Sequence, residues 1–117
     1  MSNTPAPTAT GKKSTNISLD DVLKTFRASA PIFNALGDSS RQDIVMLLAQ
    51  QERLNVSQIA EQMPLSRPAI SHHLKVLMQA GLLHMERVSR ENFYTLNVDD
   101  ALATLRLFVE QAEVSCT

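Results

Sequence analysis

The chain has 117 residues, 44% of them hydrophobic and 20% charged, with a formal net charge of -1. This is enough for one domain with a modest core, and it is not the balance of a strongly basic nucleic-acid binder. A single cysteine, Cys116, excludes an internal disulfide; there is no apolar run of bilayer length, and the 3 glycines form no phosphate loop or nucleophile elbow, which speaks against an enzyme.

Residues 1–16 are mostly Ser, Thr, Ala, Pro and Gly with Lys12 and Lys13, a tail expected to be disordered and without the apolar stretch of a secretion signal. The cytoplasm is therefore the expected compartment. Residues 17–117 are expected to form one domain. Ser18 and Asp21 make a capping pattern before Leu19, Val22, Leu23 and Phe26, which share one helical face. Pro31 should break or kink that helix near Ser29, leaving Ile32, Phe33 and Leu36 as a further apolar turn up to Gly37. Asp38, Ser39 and Ser40 open a second helix, with Ser40 and Asp43 as its capping pair, buried through Ile44, Val45, Leu47 and Leu48 as far as about Gln51.

Asn55 with Gln58 opens a short helix carrying Val56, Ile59, Ala60 and Met63, which Pro64 closes. A few residues later Ser66 caps a longer one, with Pro68 in its first turn and Gly81 as its stop. Ile70, Leu74, Leu77 and Met78 form one apolar stripe, and Pro68, His72, Lys75 and Gln79 fall on the opposite side. His73 lies at the stripe's edge, assigned to structure as a partly buried histidine bonded to backbone. A short helix, a tight turn and a longer helix with a polar outer face make a helix-turn-helix, whose second helix suits the major groove of DNA.

Beyond Gly81 the period becomes alternating. Leu83–Val88 and Phe93–Leu96 read as two strands joined by a turn through Ser89, Arg90, Glu91 and Asn92. Such a hairpin must pack on the helices as a wing, with Arg87 and Arg90 near its tip, either beside DNA phosphates or simply solvated. Between Ser66 and Arg90 the cations are Arg67, Lys75, Arg87 and Arg90, against one acid, Glu86. A local cationic patch serves phosphate contact even in a mildly acidic chain.

The last helix opens at Asp99 or Asp100 and carries Leu102, Leu105, Val109 and Ala112 at spacings of three and four, with Val98 and Cys116 extending the seam. Together with Leu23 and Phe26 of the first helix this stripe suggests a two-fold dimer, which would set two recognition helices about one DNA turn apart. The alternative is that both stripes pack inside one protomer. The fold class expected is mainly α with a small β-hairpin, a winged helix-turn-helix dimerising through its first and last helices. A winged-helix protein-interaction module without specific DNA binding is the alternative function.

The segments FNALGDSSRQDIVMLLAQ, NVSQIAEQMPLSRPAISHHLKVLMQAGLL and FYTLN resemble the ArsR-type winged-helix repressors, from about Ile32 to Asn97. The resemblance implies a homodimeric repressor that binds a palindromic double-stranded operator and leaves it when an inducer binds. It points to Ser66, Arg67, Ala69, Ser71 and His72 as groove-facing, to Lys75 as a phosphate contact, and to Arg87 and Arg90 as wing contacts. Many members of this family sense thiophilic metals through a Cys-x-Cys pair, but Asn55 and Ser57 stand at the matching positions. Others bind zinc between their last helices; here Asp100 matches, whereas Leu102, Glu113 and Cys116 occupy the remaining ligand positions. Thiol sensing in the family generally uses two cysteines, and a lone Cys116 leaves only a disulfide between protomers or the role of a small hydrophobe. No metal or cofactor is assigned, no membrane partner is implied, and the inducer is unknown.

Overall fold

The computed structural model describes residues 17–115, so the tail through Asn16 and Cys116 lie outside it. Five helices and one hairpin follow in order: α1 (Leu19–Leu36), α2 (Ser39–Gln50), α3 (Val56–Gln62), α4 (Arg67–Gln79), β1 (Leu83–Val88), β2 (Glu91–Leu96) and α5 (Asp99–Ser115). This is the mainly helical winged helix-turn-helix expected. The chain divides into two compact units, one formed by α1 as far as Ala30 with α5 from Leu102, the other by residues 31–101.

α1 starts as its capping pattern requires, with Asp21 N–H donating to Ser18 Oγ at 3.2 Å and Ser18 N–H to Asp21 Oδ2 at 3.2 Å. Of the break or kink expected at Pro31, the break is absent: the helix runs on to Leu36 with the proline inside. An interior proline costs roughly 3 kcal/mol through one lost backbone bond and a clash with the preceding turn. Burial of Ile32 and Ala35 in the core just beyond it holds the final turn in place.

The cap of α2 is Asp38, not Ser40: its extended backbone turns the carboxylate to accept from Arg41 N–H at 3.0 Å. Ser40 and Asp43 lie inside the helix. That main-chain N–H, with the Arg41 charge beside it, holds the Asp38 carboxyl below the ordinary aspartate range.

The core lies in the unit of residues 31–101: Ile32, Ala35, Ile44, Leu48, Leu54, Ile59, Ile70, Leu74, Leu77, Leu82, Leu83, Tyr94 and Ala101 are buried. β1 and β2 pair antiparallel from Leu83↔Leu96 to Val88↔Glu91. A two-stranded ribbon is marginal alone. Here Leu54 adds a one-residue third strand, its N–H donating to Tyr94 O at 3.1 Å and its carbonyl accepting from Tyr94 N–H at 2.8 Å.

The hairpin turn is tighter than expected. Strand β2 begins at Glu91, so only Ser89 and Arg90 remain as loop, at φ 49° and 73°. Two successive positive φ values are what a type I′ turn demands, and they strain residues other than Gly, Asn or Asp. Arg90→Gly is therefore expected to raise stability by about 1 kcal/mol in chemical denaturation while weakening DNA affinity, a split that a purely solvated tip would not show.

Candidate nucleic-acid interface

The helix-turn-helix is built by two caps and one buried stripe. At the start of α3, Asn55 Oδ1 accepts from Gln58 N–H at 2.8 Å while Asn55 N–H donates to Gln58 Oε1 at 2.8 Å, a complete capping box. At the start of α4, Ser66 Oγ accepts from Ala69 N–H at 3.2 Å and Pro68 occupies the first turn, where no backbone donor is needed. Gly81, at φ 75°, takes the left-handed conformation that ends α4.

Ile70, Leu74 and Leu77 are fully buried, so that stripe sets which side of α4 faces the core. Ser66, Arg67, Pro68, Ser71, His72, Lys75 and Gln79 are exposed on the other side, and Ala69 is half-buried at its margin. This is the facing expected from the spacing. Arg67 is not free: its Nη1 donates to Ser57 Oγ, bracing α4 against α3. A guanidinium has further donors, so the brace leaves N–H groups for a ligand. His73 is half-buried as expected, but its partner is not backbone. Its Nδ1 lies 3.2 Å from Nη1 of Arg41 on α2.

On the hairpin, Arg87 and Arg90 are both exposed, and Arg87 Nη1 donates to Asn92 Oδ1 across the strands at 3.2 Å. Arg53, which no sequence pattern singles out, also meets the hairpin: its guanidinium lies 4.7 Å from the centre of the Phe93 ring and 3.4 Å from Glu86 Oε1. An exposed pair of this kind adds little stability. It does set a cation against Glu86, the one acid between Ser66 and Arg90.

The residues expected at a dimer seam divide. Leu23, Phe26, Leu102 and Val109 are exposed at 41%, 50%, 49% and 50%, while Leu105 and Ala112 are half-buried. Within one protomer the Phe26 ring stacks on Phe108 at 5.1 Å, and Thr25 Oγ1 donates to Gln111 Oε1 at 3.0 Å. Phe108 and Gln111 lie roughly a quarter-turn or more round α5 from the line through Leu102 and Val109. One face of α5 thus meets α1 and an adjoining one stays open. Phe108 was legible as an apolar residue three after Leu105, but it falls off the stripe chosen.

Asn55 and Ser57, at the positions of a metal-binding cysteine pair, are occupied with structure: Asn55 caps α3 and donates to Glu91, and Ser57 accepts from Arg67. Among the described residues no helix is long and apolar enough to cross a membrane.

A profile of the bacterial regulatory protein arsR family matches residues 38–84. An uncharacterized HTH-type transcriptional regulator of Methanocaldococcus jannaschii is 33% identical over 89 residues, covering 76% of this chain and 99% of that protein. The transcriptional repressor SdpR of Bacillus subtilis is 31% identical over 85 residues, with 70% and 93% covered. Among solved structures, the ArsR-like transcriptional regulator from Rhodococcus sp. RHA1 superposes with a TM-score of 0.68 at 30% identity, covering 77% of this chain and 84% of that one.

Proposed function

The chain belongs to the arsR family of bacterial regulatory proteins and is a DNA-binding transcriptional regulator, and we propose that it represses as a homodimer on a palindromic operator from which an inducer releases it. The observation that carries this reading is the outer face of α4, polar and cationic from Ser66 to Lys75 over a fully buried inner stripe. In the major groove, Ser71 and His72 hydrogen-bond base edges and Ala69 touches a thymine methyl. Arg67, braced on Ser57, takes a phosphate or a guanine, and Lys75 holds phosphate. Arg87 and Arg90 follow the backbone or the adjacent minor groove, fixing register and carrying no sequence information through phosphate. The exposed stripe of Leu23, Phe26, Leu102 and Val109 supplies the second protomer's seat, with Leu105 and Ala112 at its floor.

The test is a mobility shift with the DNA flanking the chain's own gene, at two salt concentrations. Tight binding of one fragment with a steep salt slope is expected; weak binding to every fragment alike would favour an interaction module instead. In the same assay His72→Ala should lower discrimination by about 1–3 kcal/mol, the worth of one base contact, with helicity by circular dichroism unchanged. A loss of helicity would refute the facing assigned to His72.

A further inference from the structure

Arg41, half-buried in the first turn of α2, spends its guanidinium on three separate acceptors. Nε donates to Ala35 O at 2.7 Å and Nη2 to Asn34 O at 3.2 Å, both carbonyls of the last turn of α1, where helical donors run out. Nη1 lies 3.2 Å from Nδ1 of His73 in α4. Arginine nitrogens only donate, so this contact is a hydrogen bond when Nδ1 holds the lone pair and a neutral ring carries its proton on Nε2. Asp38 Oδ2 stands 4.0 Å from the same Nδ1. His73 sits between exposed His72 and buried Leu74, and the two imidazole rings are 5.8 Å apart.

We propose that Arg41 is a positioning residue for DNA reading: by holding His73 against the junction of α1 and α2, it fixes the roll of α4 and so the aim of Ser71 and His72. The inference rests on α4 being the recognition helix. The buried stripe of Ile70, Leu74 and Leu77 pulls α4 onto the core but is non-directional, and aliphatic contacts tolerate a few degrees of rotation. A hydrogen bond between planar groups does not. Lysine cannot replace this arginine, since one ammonium is a point charge and the three acceptors need a fork.

The experiment compares Arg41→Gln, Arg41→Lys, His73→Leu and His73→Asn with the parent chain. For each, Kd is measured for the gene-flanking fragment and for poly(dI-dC), well below the unfolding transition, with circular dichroism confirming the fold. The ratio of the two is expected to fall about tenfold in Arg41→Gln, Arg41→Lys and His73→Leu, comparable to losing one base contact, while poly(dI-dC) binding holds. His73→Asn, which keeps an acceptor near the place of Nδ1, is expected to retain the parent ratio. Folded His73→Leu with an undiminished ratio overturns the proposal even where an Arg41 variant fails to fold. Equal loss on both DNAs overturns it as well, reducing Arg41 to a structural part. A parent chain that does not discriminate between the two DNAs overturns the recognition-helix reading itself, a failure visible before any variant is made.

Discussion

Leu102→Glu with Val109→Glu is expected to convert the protein into folded monomers whose operator affinity falls about 100-fold or more. Both side chains are about half-exposed in the protomer, so charges placed there meet water and leave the fold intact. In the proposed dimer the same charges are buried without partners, which costs several kcal/mol per site. A dimer engages its second half-site intramolecularly, and losing that link forfeits roughly two to four orders of magnitude in affinity. Sedimentation gives the oligomer and a mobility shift the affinity. Dimers that persist would take the seam off this face of α5. Leu105 is a poorer probe, since its half-buried side chain mixes folding with assembly.

Leu74→Ala is expected to cost about 3 kcal/mol and to lower the melting temperature by roughly 15 °C. Leu74 is fully buried at the middle of α4, flanked by Ile70 and Leu77 on the same stripe. A cavity there is hard to close, because close-packed interior side chains relax only partly around missing methyls. Domains of this size hold about 5–15 kcal/mol in total, so a large share is lost at one position. DNA binding should survive at low temperature and disappear with the unfolding transition. A drop below about 1 kcal/mol would mean that this stripe is not the core contact it is taken to be.

Where the local signal was chemical, the sequence was sufficient. Asn55–Gln58 and Ser66–Pro68 announce two helix starts, because an N-cap needs particular side chains at a fixed offset. The facing of α4 followed from spacing alone, since 3.6 residues per turn converts a list of apolar positions into a direction. Failures came where distant contacts decided. Pro31 signals a break, and only the burial of Ile32 and Ala35 on its far side overrides it. Asp38 and Ser40 are both good caps, and the choice between them depends on where α1 ends.

The site divides along the same line. His72 and Lys75 were legible because exposure on a helix is local. Arg41, Arg53 and the brace from Arg67 to Ser57 were not, as each joins elements whose separation no pattern records. Ser89 and Arg90 form an I′ turn without the glycine or asparagine that announces one, so pairing of the strands, not turn chemistry, sets its length.

The exposed side of α4, with the hairpin tip, is the surface proposed to meet DNA. It is tested most directly by titrating isotope-labelled protein with the fragment retained in the mobility shift and following backbone amide resonances. The largest shifts are expected at residues 66–75 and 87–92, with those of buried Ile44 and Leu48 nearly unmoved. Shifts concentrated on another face, with residues 66–75 silent, would contradict it.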